Sequence, residues 1–265
     1  MINKGIVISG IHHWGFSIRV PRTSAGGDSY IVPPITTILG ALSRGYCSDY
    51  AVRSNVSCTK EFIDKFSSEL FWITYGAEDR TLIPYSDLLR EERVPYRQSK
   101  NRDIKEMANW FGVSAFGKVY GASASFSIAV LLNKENVEFW SKLGWQIVSL
   151  GTKESLVTVT DVRVVDVVES NEEEFYTIYY TPEECLKNKE EFETVNMPVK
   201  NVYELSNRPN IGVFSNFLVP RKTPFIGGRV KVNRRNVNEE KCKVLKLLGS
   251  DKYVITLKEG LRKWY

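Results

Sequence analysis

Apolar and polar positions along this chain repeat with two periods, and the order in which the periods alternate outlines an α+β fold. Residues 5–13 carry the run Ile6-Val7-Ile8 and then Ile11, which reads as a first strand. Phe16-Ser17-Ile18-Arg19-Val20 alternates and continues it past a break at Gly15. Ser29-Tyr30-Ile31-Val32 reads as an extended run stopped by Pro33 and Pro34, which have no N–H to give a ladder. Thr36 or Thr37 is placed to cap the helix that follows through Leu39 and Leu42 toward Tyr46.

A second helix over 61–70 sets Phe62, Ile63, Phe66 and Leu70 on one face, and 71–75 (Phe-Trp-Ile-Thr-Tyr) has strand composition. Across 76–121 the apolar runs shorten and charges, prolines and glycines dominate, the texture of an insertion. Residues 122–132 read as a strand, 135–143 as a short helix with Val137, Trp140 and Leu143 that Gly144 ends, and 156–162 as another strand. Strand, helix, strand, insertion, strand, helix, strand is the βαββαβ ferredoxin-like order with one large insertion and one extra helix. Beyond the acidic turn at Asn171-Glu172-Glu173-Glu174, strands are expected over 175–180, 211–219, 229–232 and 253–257. A short helix is expected to open at Thr181-Pro182-Glu183-Glu184 and end near Glu190. The division is therefore a ferredoxin-like domain over 1–170, with a thumb-like insertion at 76–121, and a β-rich basic region over 171–265.

Composition narrows the function. With 265 residues, 43% hydrophobic and 25% charged, the chain has enough apolar content for an ordinary core. Cys47, Cys58, Cys185 and Cys242 include no CxxC pair, and their scatter fits reduced intracellular thiols better than a disulfide framework. The first residues carry no basic-then-apolar leader and no apolar run reaches a membrane span, so a cytoplasmic protein is expected. Net charge is +5, and its concentration matters more than its size. Residues 221–246 hold nine basic residues against two acidic ones, a net +7. Arg229, Lys231 and Arg234 in this run are suited to neutralising phosphates, with solvated surface charge as the alternative.

The insertion adds Arg97, Lys100 and Arg102, with Tyr96, Trp110 and Phe111 nearby, a mixture suited to single-stranded nucleic acid or to a salt-bridged surface arm. His12 and His13 are the only histidines, and adjacent strand residues point to opposite faces, so they do not share a metal. His13, Tyr46 and Lys118 have the chemistry of a metal-free ribonuclease, or of packed and paired surface groups. No HExxH, P-loop or GxGxxG is present, and no cofactor is expected. Lys153, in Leu150-Gly151-Thr152-Lys153-Glu154-Ser155, sits on a turn from which it can reach a phosphate.

Taken with Gly117-Lys118-Val119-Tyr120-Gly121 and 150–155, the segments 10–19 and 32–42 resemble the CRISPR-associated protein family five, a branch of the RAMP superfamily, most closely its archaeal type I-A members. The matching segments run in order through the first ~160 residues, about one domain. The resemblance implies a ferredoxin-like (RRM-like) palm with an inserted thumb. It also implies a non-catalytic subunit that grips the 5′ handle of a CRISPR guide RNA and touches the helical backbone subunit, the large Cascade subunit and, indirectly, target DNA. His13, Trp14, Arg19, Arg44, Lys118 and Lys153 join the basic residues above as candidate RNA contacts. A nuclease branch of the family processes precursor RNA with tyrosine, lysine and histidine. Here Val119 follows Lys118 where that branch has histidine, and the glycine-rich loop of many RAMP proteins is reduced to Gly227-Gly228.

Overall fold

A computed structural model describes residues 4–20, 28–48, 58–92, 111–134, 136–200 and 212–265. The first half contains β1 (Lys4–His12), β2 (Gly15–Phe16), α1 (Ile35–Cys47), α2 (Cys58–Phe66), β3 (Leu70–Ala77), β4 (Ile83–Glu92), β5 (Phe111–Tyr120) and β6 (Ala124–Leu132). Then come α3 (Val137–Trp145), β7 (Val157–Glu169), β8 (Glu174–Thr177), β9 (Thr181–Pro182), β10 (Phe192–Lys200) and β11 (Val213–Lys222). The chain closes with β12 (Phe225–Ile226), β13 (Val230–Asn233), β14 (Cys242–Leu247) and β15 (Tyr253–Leu257).

A six-stranded antiparallel sheet in the order β15-β14-β7-β1-β6-β3 forms the centre. β1 lies in its middle because Ile6, Val7 and Ile8 are all buried, which only a strand covered on both faces tolerates. α3 packs on one face, and there Gly144 lets the helix approach: a Cβ at that position would stand 3.1 Å from Ile8 and 3.3 Å from Val162. Buried Trp140 fills the same layer and donates its indole N–H to Glu69 at 3.1 Å, so burying the ring leaves no orphan donor. On the other face the Thr74 hydroxyl donates to the Tyr180 carbonyl at 2.8 Å, and the Ser127 and Tyr179 hydroxyls lie 2.9 Å apart. β4 and β5, ten residues each, pair along their whole length as a hairpin that joins the body through β2 in a separate three-stranded sheet. Among the described residues no helix is long and apolar enough to cross a membrane.

Several sequence expectations are corrected. Ser29 makes only a single bridge to Arg19, and no strand forms over 29–32. Pro34, not Thr36 or Thr37, occupies the cap of α1; its fixed φ suits the helix start and Thr36 is buried. Gly144 lies inside α3 rather than ending it, because packing on the sheet needs a residue without a side chain there. Residues 181–190 hold one 3₁₀ turn, Glu183–Cys185, in place of a helix. β14 lies inside the basic run and extends the sheet beyond β7.

The cysteines also depart from expectation. Cys47 pairs with Cys58, and Cys185 with Cys242, at Cα separations of 5.9 and 5.6 Å. Sequence separation carries no information about this. Asn238 receives the amide of Cys242 on its carbonyl and donates its own amide to the Cys185 carbonyl, each at 2.9 Å, which brings two cysteines 57 residues apart together.

Candidate nucleic-acid interface

The end of β1 separates its two histidines by the pleat. His12 turns inward among Phe126, Phe16 and Tyr75, with Nε2 3.0 Å from the Tyr75 hydroxyl. Burial, with a smaller contribution from His13, pushes its pKa down to about 3. It is therefore a neutral core residue, outside any surface site. His13 points to solvent, its Nε2 3.0 Å from the Thr158 hydroxyl.

This burial has a measurable consequence. The unfolded chain protonates His12 near pH 6.5, whereas the folded chain resists until about 3. His12 therefore costs no stability above pH 6.5, and stability falls as pH drops below it, by at most ~1.4 kcal/mol per pH unit. Denaturation midpoints between pH 6.5 and 5 are expected to fall more steeply in the wild type than in His12→Gln. Equal slopes would mean that His12 takes up its proton within the fold.

Beyond His13 the chain turns into β2 at Gly15. A Cβ there would lie 1.8 Å from the Val119 carbonyl oxygen and φ is +126°, so only glycine lets β2 pair with β5. That pairing sets Trp14 beside the hairpin base. Its ring centroid is 5.8 Å from Tyr120, which is 5.6 Å from Tyr85. Tyr85 is 58% exposed. Lys118 Nζ stands 5.9 Å from both the Trp14 and Tyr120 ring centroids. Asp87 accepts from Lys118 at 2.7 Å and from the Tyr120 hydroxyl at 3.2 Å. This hydrogen bond from Lys118 to Asp87 raises the lysine pKa, keeping the ammonium charged.

The turn at 150–155 completes the corner. Trp14 donates its indole N–H to the Glu154 carbonyl at 2.6 Å, and Thr152 donates its amide to the Ser17 carbonyl at 3.0 Å. Ser17 in turn donates its amide to Ser155 Oγ at 3.0 Å. Lys153 is exposed on this anchored turn. His13, Trp14, Lys118 and Lys153, far apart in sequence, thus share one corner, where three aromatic faces and cationic groups suit a stacked base and its phosphates. Arg19 is exposed just beyond it, bridging Ser29 through its backbone. Arg44 is exposed on the last turn of α1 and makes no contact with the corner among the described residues. Arg97, Lys100 and Arg102 lie outside the described residues. Tyr85 and Asp87 were missed from sequence; only the register of β4 on β5, Tyr85 opposite Lys118, brings them in.

The basic run of 221–246 does not gather into a comparable surface. Arg229 pairs with Asp251, Lys231 with Glu174 at 2.8 Å, and Arg234 with Glu239 at 2.5 Å. Arg221 pairs with Glu193, Lys241 with Glu184 at 3.5 Å and Lys246 with Glu172 at 2.7 Å. Each such pair is weak, but phosphate must compete with it. The Gly227-Gly228 amides are occupied, donating to the Pro220 and Ala77 carbonyls at 2.8 and 3.0 Å.

No protein-family model matches the chain. A Saccharolobus solfataricus protein described as CRISPR-associated protein Cas5 2 is 77% identical over 262 residues, covering 99% of both chains. This chain belongs to the Cas5 family. A second relative from that archaeon, described as CRISPR system aCascade subunit Cas5 1, is 27% identical over 154 residues, 57% of this chain and 61% of that one. The crystal structure of a CRISPR protein from Archaeoglobus fulgidus matches 96% of this Cas5 chain and 99% of its own with a TM-score of 0.59 at 22% identity, a likeness of fold. The Cas5 chain is accordingly a mixed, strand-rich α/β protein.

Proposed function

We propose that this chain is a guide-RNA-binding subunit of an archaeal type I CRISPR interference complex, gripping the 5′ handle without cleaving it. The observation that carries this reading is the Trp14–Tyr120–Lys118 corner, a partly exposed stacking and cationic site in a chain with a relative described as an aCascade subunit. The order β7-β1-β6-β3 is the 4-1-3-2 arrangement of a ferredoxin-like domain, which supports reading it as the palm. The β4–β5 hairpin, inserted before the third palm strand, corresponds to the thumb. In such a complex the subunit meets the helical backbone and large subunits, and target DNA only indirectly, in the cytoplasm. The two disulfides do not argue for export, since intracellular proteins of hyperthermophilic archaea also carry them.

The alternative, a metal-independent endoribonuclease, would need Tyr46 beside His13 and Lys118, and Tyr46 lies away from the corner those two share. Tyr46 packs on Phe62 and Phe66, whereas Lys118 sits over Trp14 and Tyr120. A pure assembly role fits poorly with exposed aromatics beside an ammonium.

Repeat RNA incubated with the chain in chelator is expected to remain intact while being bound. Affinity should fall with salt, and the slope of log K against log[salt] should lose about 0.7 for Lys153→Gln and less for Lys118→Gln, whose ammonium Asp87 already holds. Cleavage abolished by Tyr46→Phe, or a flat salt dependence, would overturn the proposal.

A further inference from the structure

The end of the central sheet away from the aromatic corner holds a groove of about 750 Å³. Its walls come from the start of β3 (Phe71), the end of β7 (Val168, Glu169), β14 (Lys243) and the segment after β15 (Lys258, Arg262). Register fixes its distance from the corner. The groove adjoins the Lys4 end of β1 and the corner the His12 end, about 26 Å apart at 3.3 Å per residue.

Its charge arrangement differs from that of its surroundings. Nearby, Lys241 and Lys263 share Glu184, and Lys246 holds Glu172. Lys243, Lys258 and Arg262 face one groove and hold no carboxylate among the described residues. Lys243 is half-buried, its ammonium 4.2 Å from the Phe71 ring centroid. Burial lowers its pKa against the pull of Glu169, and Lys258 lowers it further. Three cations against the two carboxylates Glu169 and Glu259 leave this partly dehydrated groove with an excess of positive charge, which costs stability unless a further anion joins them. That cost identifies a missing counter-charge.

The remaining lining indicates which anion. Glu169 and Glu259 also face the groove, so a continuous phosphodiester chain would meet carboxylates as well as cations. Val168 is 42% exposed, and Phe71 is buried, offering no open ring on which a base could stack. A protein segment that pairs one or two carboxylates with an apolar side chain satisfies both the cations and Val168. We propose that this groove docks an acidic, apolar-flanked segment of a neighbouring protein subunit, on a surface separate from the RNA-binding corner. The proposal rests on the chain being part of a multisubunit complex.

The test is carbodiimide cross-linking of the complex assembled from its co-expressed subunits, read by mass spectrometry beside acetylation footprinting of the isolated chain. Lys243 or Lys258 is expected to cross-link to an Asp or Glu of another subunit, and acetylation of both to fall at least tenfold on assembly. Lys258→Glu/Arg262→Glu changes only exposed residues, so folding is spared. It should weaken subunit association at least tenfold while RNA affinity of the isolated chain is unchanged. Equal acetylation before and after assembly, or normal association of the variant, would each overturn the proposal. Failure of the chain to assemble at all, with RNA binding intact, would instead overturn the complex-subunit reading and this one with it.

Discussion

Trp14→Ala is expected to weaken binding of single-stranded handle RNA about fivefold to a hundredfold, the loss of roughly 1–3 kcal/mol that one stacked base contributes. The indole sits at the centre of the corner, beside Tyr120 and beneath the Lys118 ammonium, so its removal takes away both a stacking face and a cation–π partner. It also frees the Glu154 carbonyl and loosens the turn bearing Lys153. Trp14→Phe keeps the ring and loses the N–H, and should retain most of the affinity. Fluorescence anisotropy with a labelled handle oligonucleotide separates the two variants. If both bind like the wild type, RNA does not stack on this corner. Arg229→Gln and Lys231→Gln should change affinity far less, because these cations pair with Asp251 and Glu174 away from the Trp14 and Tyr120 rings.

The second large effect concerns stability. Cys185→Ala/Cys242→Ala removes a cross-link closing a long loop, and the chain-entropy estimate for that length is ~4 kcal/mol. At this chain size such a loss lowers the melting temperature on the order of 10 °C. Cys47→Ala/Cys58→Ala removes the cross-link of a much shorter loop and should cost less, ~3 kcal/mol. Thermal melts with and without reductant provide the check: reductant should lower the wild-type midpoint and leave a variant lacking all four cysteines unmoved. A wild-type midpoint indifferent to reductant under conditions that reduce both bonds would contradict a stabilising role. Because Cys185 and Cys242 are buried, reduction of that pair is expected only as the chain opens.

What could be read from sequence follows from the range of each signal. The order of the central strands and helices was legible because Ile6-Val7-Ile8, the Phe62–Phe66 face and the 156–162 alternation are local patterns. The expected site was legible in part. Trp14, Lys118 and Lys153 were identified singly, but their meeting depends on β2 pairing with β5 at Gly15 and on the Ser17–Thr152 hydrogen bond. Tyr85 enters only through cross-hairpin register. The 221–246 run misled for the complementary reason: a charge tally along the chain omits Glu172, Glu174, Glu184 and Glu193, which fold back onto it. The same tally hid β14, where Cys242, Val244, Leu245 and Leu247 are buried around two lysines that fall on opposite faces of the strand. The disulfides were illegible because proximity in the fold, and not spacing in the chain, decides them.

The central claim is that RNA lies on the corner at the end of β1 rather than on the basic run. The most direct measurement is photocross-linking of a guide RNA with 4-thiouridine in its 5′ handle to the assembled complex, followed by mapping of the linked peptide. The account predicts attachment at Trp14, Tyr85 or Tyr120. Attachment confined to residues 221–246, with none at the corner, would contradict it.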